Sequence, residues 1–312
     1  MDWLKNIMTW PLASVFTLAI IIAIYLFFFL NKPTIKHYTY KTTLQGNLEL
    51  KVYLPKGESE KNNRPVILFF FGGGWIGGGI NHFQKQAEYF ATRGIVTTLV
   101  EYRIDNKHQT TPDKAVEDGL DAIQWVADHA NELGIDTQKI IASGASAGGH
   151  IAACLALCKI RETDVLSDIQ PSLLVLFNPV LDLMNATAEL EFMPRELELI
   201  DAIGPNKAHA ISPNQHINEH TPDTLIIFGE NDPLLEQTYE FIPAAKKNGA
   251  EIRLLIAKNN GHGFCNKDPW KSSSIRAMDQ YLIEKGYLSG EPLINDNVSK
   301  EAPFHLINDT EE

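Results

Sequence analysis

Residues 65–71 read Pro-Val-Ile-Leu-Phe-Phe-Phe and run directly into Gly72, Gly73 and Gly74. A run this short, wholly apolar and closed by glycines is a strand buried on both faces, which requires a sheet covered by helices on each side. Further strands are predicted at 48–54, 95–100, 139–143, 172–177, 224–228 and 251–257. Helices are predicted between them at 81–92, 113–133, 147–158 and 234–248, with a last one at 272–285. Leu48, Leu50, Val52 and Leu54 alternate with Glu49, Lys51 and Tyr53, the period of a half-exposed antiparallel edge strand. Gly134 stands where a helix ends. The expected fold is α/β, with a mostly parallel central sheet, helices on both faces and function at the carboxyl ends of the strands.

At 312 residues with 44 % hydrophobic composition, the chain has material for one large domain, expected over 34–288. Its net charge of −12 would repel a phosphate backbone, which excludes nucleic acid as a partner. Residues 183–222 break the alternation; a helix at 189–203 and a polar stretch after it predict a lid insertion over the site. Residues 289–312 carry six acidic residues against one lysine and predict a loosely attached tail. Cys154 and Cys158 lie four apart in an Ala-rich helical stretch, the placement of small buried hydrophobes on one helix face.

The N-terminus reads differently. Residues 11–30 contain no charge, and a helix of that length spans about 30 Å, the thickness of a bilayer's hydrocarbon. Trp3 and Trp10 precede it, and Tyr38 and Tyr40 follow as interfacial aromatics would. Residues 1–33 are therefore expected to be a single-pass membrane anchor. A signal peptide is the rival, but the run exits through Asn31, Lys32 and Pro33 without a small-x-small cleavage site. Lys32, Lys36 and Lys41 lean towards a cytoplasmic domain, a weak rule before a long domain.

Chemistry concentrates at three strand ends. Gly144-Ala145-Ser146-Ala147-Gly148 matches G-x-S-x-G between a strand and a helix, the setting that lifts a serine Oγ out of a sheet. With 12 serines and 21 glycines the pattern would arise by chance roughly 0.05 times. A serine needs a base oriented by an acid. Asp232 follows the strand at 224–228 and His262 follows that at 251–257, in the order expected of a Ser-Asp-His triad. Glu230 is a competing acid. Gly73 and Gly74, with the N–H of Ala147, are the candidate oxyanion hole, and Phe71 and Trp75 beside them are expected to line the substrate pocket. His82, His108, His150, His209 and His220 are expected on the surface or lid. No cofactor or metal is expected: neither H-E-x-x-H nor a Cys/His ligand spacing occurs, and the glycines lack the lysine of a phosphate-binding loop.

Taken in order, FFFGGGW, EYRI, SGASAGGHIAA, NPVLDL, FGENDPL and GHGF resemble the α/β-hydrolase esterases of the hormone-sensitive-lipase and bacterial acetyl-esterase type over about residues 40–287. The resemblance implies a Ser146–Asp232–His262 triad with Gly73, Gly74 and Ala147 as oxyanion donors. Phe71 departs from the family's usual histidine and Ala145 from a frequent acidic residue. It implies a serine esterase for short-chain, foremost acetyl, esters, with O-acetylated carbohydrates among the candidates. A peptidase on the same fold and a membrane-anchored, non-catalytic binding module are the alternatives, and the oligomeric state is left open.

Overall fold

The computed structural model describes residues 32–57, 63–158, 169–184 and 194–307. The segment expected to anchor the chain, 11–30, lies outside them, and so does the start of the helix expected at 189–203. Among the described residues no helix is long and apolar enough to cross a membrane.

Among the described residues nine strands form one sheet in the order β1-β2-β4-β3-β5-β6-β7-β8-β9. They are β1 (Thr34–Thr43), β2 (Gly46–Leu54), β3 (Arg64–Phe70), β4 (Val96–Val100), β5 (Ile135–Ala145), β6 (Leu173–Phe177), β7 (Thr224–Gly229), β8 (Ile252–Ala257) and β9 (His305–Ile307). From β4 to β8 all neighbours are parallel; β1, β2 and β9 pair antiparallel. The continuous apolar runs serve two separate cores. Val66, Leu68 and Phe70 of β3 point into one, and Ile67 and Phe69 into the other. Strands β6 and β7 divide their residues the same way, because successive side chains leave opposite faces.

The first core is covered by α1 (Pro112–Asp128), α2 (Ala147–Leu157) and α3 (Thr238–Lys247), and the second by α4 (Gln84–Thr92) and α5 (Trp270–Glu284). In the region expected as a lid, Pro194–Ala210 is helical, interrupted at Gly204 with Pro205 after it.

Both ends of the sheet differ from expectation. Residues 48–54 lie one strand in from the edge, because β1 folds back on them. Tyr38 and Tyr40 are therefore part of the sheet: Tyr38 donates to Glu132 at 2.6 Å and leans on Trp125, and Tyr40 donates to the Glu101 carbonyl at 2.6 Å. The acidic tail as far as residue 307 is likewise structured, forming a helical turn at Asn297–Glu301 and pairing β9 with β8.

Candidate active site

β5 ends at Ala145 and α2 begins at Ala147, leaving Ser146 alone in the turn with φ 53° and ψ −121°. Such a conformation costs a non-glycine residue about 1–3 kcal/mol and persists only where its surroundings enforce it. They do so here by close approach. A Cβ on Gly144 would lie 2.2 Å from the Gly148 carbonyl oxygen, and one on Gly148 would lie 2.2 Å from that of Phe70. The Ser146 N–H donates to the Phe177 carbonyl at 2.9 Å, tying the turn to β6.

The ends of β7 and β8 bring the other two residues to Ser146. His262 Nε2 lies 3.0 Å from Ser146 Oγ, and His262 Nδ1 lies 2.8 Å from Asp232 Oδ2. With Nδ1–H donating to a carboxylate, Nε2 carries the lone pair and accepts from the serine hydroxyl. The Asp232 side chain has no exposure, whereas that of His262 is 25 % exposed to the cavity. Asp232 Oδ2 also accepts from Asn178 Nδ2, and Oδ1 accepts from the Leu234 N–H at 3.1 Å. Glu230, the rival acid, is exposed and accepts from the Asn259 N–H at 2.8 Å, bracing the histidine loop from outside.

Gly73 (φ 138°) and Gly74 (φ 63°) turn the loop after β3 through left-handed conformations that glycine adopts freely. Neither N–H donates to an acceptor among the described residues. The cavity at Ser146, about 410 Å³, is walled by these glycines, His82, Asn178, Glu196, Cys265 and Asn266. Glu196, from Pro194–Ala210, lies so close to the loop that a Cβ on Gly74 would be 2.2 Å from its Oε1. Arg195 beside it bridges to Asp105 at 2.7 Å. Among the described residues no group of three or more His, Cys, Asp or Glu side chains is disposed to hold a metal ion.

Of the two aromatic neighbours of the loop, Trp75 lines no cavity at the site, and Phe71 lines the adjoining cavity, which shares Gly72, His82 and Asn266 with the one at Ser146. Phe71 is buried face to face on Tyr102; Trp75 is 1 % exposed and packs edge-on against His150. The reason lies in the backbone, since φ 59° at Trp75 swings its indole inward. Three histidines also depart from expectation: His150 is fully buried, His108 is buried and accepts from the Ile104 N–H at 3.0 Å, and His82 is half-buried on the site's edge. Asn178, His82, Glu196, Cys265 and Asn266 are residues of the cavity wall that sequence reasoning did not assign to the site. The Asn-Pro step directly after β6 was the signal available for Asn178. The EYRI segment proves supportive: the Tyr102 hydroxyl holds the Phe71 carbonyl at 2.6 Å, and Arg103 pairs with the fully buried Asp118 at 2.7 Å.

Fold and site together define an α/β-hydrolase esterase of the hormone-sensitive-lipase type, a serine hydrolase acting on carboxylic esters. The chain belongs to the BD-FAE family, whose model it matches over residues 50–241. It is 26 % identical to probable carboxylesterase 1 of Arabidopsis thaliana, over 76 % of this chain and 82 % of that protein. It is 32 % identical to carboxylesterase NlhH of Mycobacterium tuberculosis over 35 % of this chain and 34 % of that one. Among solved structures, propionate-bound esterase 2 of Thermogutta terrifontis superposes with a TM-score of 0.73 at 34 % identity, over 82 % of this chain and 96 % of that chain. The same enzyme phosphonylated by sarin gives 0.75 at 33 % identity, over 83 % and 98 %.

Proposed function

We propose that Ser146, His262 and Asp232 hydrolyse short-chain esters, acetyl esters foremost, through an acyl-enzyme. The observation that carries the reading is the single imidazole spanning Ser146 Oγ and Asp232 Oδ2 at 3.0 and 2.8 Å. His262 takes the serine proton as Oγ attacks the ester carbonyl, and Asp232 keeps the imidazole in the competent tautomer and stabilises the imidazolium that forms. The N–H groups of Gly73, Gly74 and Ala147 receive the developing oxyanion. His262 then protonates the departing alcohol, and water repeats the sequence on the acyl-enzyme.

The esterase 2 structure that holds propionate supports a short acyl group. The side chains of Glu196 and Asn266 in the wall of the cavity at Ser146 favour an alcohol rich in hydroxyls, such as an O-acetylated carbohydrate. Residues 11–30 would tether this domain to a membrane. Hydrolysis of p-nitrophenyl esters graded from acetyl to octanoyl, beside acetylated sugars, tests the substrate class. The expected kcat/KM is highest for acetyl or propionyl and falls towards octanoyl; an optimum at octanoyl contradicts it.

A further inference from the structure

We propose that His82 is a positioning residue of the oxyanion loop, joining it to the segment that carries His262. The Gly72 N–H donates to His82 Nδ1 at 3.0 Å. Nδ1 therefore bears the lone pair and Nε2 the proton, which is donated to Asn266 Oδ1 at 2.6 Å. Gly72 directly precedes the two glycines that line the cavity, and Asn266 closes the helical turn Phe264–Asn266, immediately after His262 and Gly263. One imidazole thus spans two segments that are otherwise far apart in sequence. Its own backbone is fixed: the His82 N–H donates to the Gly79 carbonyl at 3.0 Å, and Phe83 beside it is buried in a stack on Phe69. The ring itself forms part of the cavity wall.

The consequence is specific to the transition state. An oxyanion donor acts only once the carbonyl oxygen becomes charged, so a donor out of place lowers kcat while leaving ground-state binding alone. Removing a donor outright costs about 10²–10³ in kcat, and loosening its support costs a part of that. This inference rests on reading Gly73, Gly74 and Ala147 as the oxyanion hole of Ser146.

Two conservative variants separate the two bonds. In His82→Asn the amide oxygen occupies the place of Nδ1 and keeps the Gly72 bond; in His82→Gln the amide reaches Asn266 instead. His82→Ala loses both. The test is steady-state hydrolysis of p-nitrophenyl acetate by the full chain, with kcat normalised to sites titrated by a fluorophosphonate. The expected result is a kcat about 10- to 100-fold down in His82→Ala and His82→Gln, most of it regained in His82→Asn, and KM unchanged within about twofold throughout. A His82→Ala kcat within about twofold of wild type overturns the inference, as does rescue by Gln and not by Asn. A loss that vanishes on normalising to titrated sites also overturns it, because it would mark a folding role alone. If the wild-type enzyme titrates at no serine, the reading of Ser146 fails instead, which keeps the two failures apart.

Discussion

Phe71 lies face to face on Tyr102, ring centroids 4.0 Å apart, while the Tyr102 hydroxyl donates to the Phe71 carbonyl at 2.6 Å. The residue that enters the oxyanion loop is therefore held by its ring and its backbone at once. Burial pushes the Tyr102 phenol well above its ordinary range, so it remains a donor at any working pH. Tyr102→Phe keeps the stack and orphans a buried carbonyl, at a cost of about 1–3 kcal/mol. A thermal melt should show the midpoint falling by several degrees, with kcat reduced more than KM is raised. An unchanged midpoint would contradict this account of the loop.

Asp232 and Glu230 stand two residues apart on one loop, and only Asp232 faces the imidazole. Asp232→Asn should lower kcat by about 10⁴ through loss of the correct tautomer. Glu230→Gln retains an acceptor for Asn259 and should stay within about twofold of wild type. Steady-state kinetics on p-nitrophenyl acetate distinguish them, and the reverse ranking would transfer the role to Glu230.

Trp75 contributes packing. Its truncation to Ala should destabilise the protein by about 3–5 kcal/mol, as for a large aromatic lost from a core. The acyl-length preference of whatever folded enzyme remains should not move, since the ring does not border the cavity at Ser146. A shift towards longer acyl chains with the melting point intact would restore Trp75 to the pocket.

His150 makes stability depend on pH. Burial lowers its pKa to about 4, with Nε2 bonded to the Ile211 carbonyl at 2.6 Å and the ring set between Trp75 and Cys154. Above the ordinary histidine pKa of about 6.5 both folded and unfolded chains carry it neutral. As pH falls from there towards 4, the unfolded chain takes up a proton that the folded one refuses, so stability is lost by up to roughly 3 kcal/mol. His150→Gln should be less stable at pH 7 yet lose less between pH 7 and 4.5 than the wild type. Parallel melting curves would contradict this.

What the sequence made legible follows from where apolar surface is concentrated. Strands such as β3 and β7 were readable because both faces meet a core. β1 was not, because Thr34–Thr43 alternates threonine, lysine, histidine and tyrosine and stays largely exposed; only its β-favouring residues signalled a strand. β9 is three residues long, with Leu306 and Ile307 each half exposed at the opposite edge. Ser146, His262 and the loop holding Asp232 were legible from spacing and order. The choice between Asp232 and Glu230 needed side-chain direction, and His82 needed a contact between residues 184 positions apart. Trp75 misled because an aromatic beside glycines carries no mark of which way the backbone turns it.

The central claim is that Ser146 is a nucleophile activated by His262. Intact-mass analysis after treatment with a fluorophosphonate, followed by peptide mapping, tests it most directly. One phosphonyl group per chain should appear, on Ser146, with parallel loss of esterase activity; Ser146→Ala should take up none and fall by about 10⁴–10⁶ in kcat. Modification at another residue, or more than about a tenth of the activity surviving in Ser146→Ala, would contradict the account.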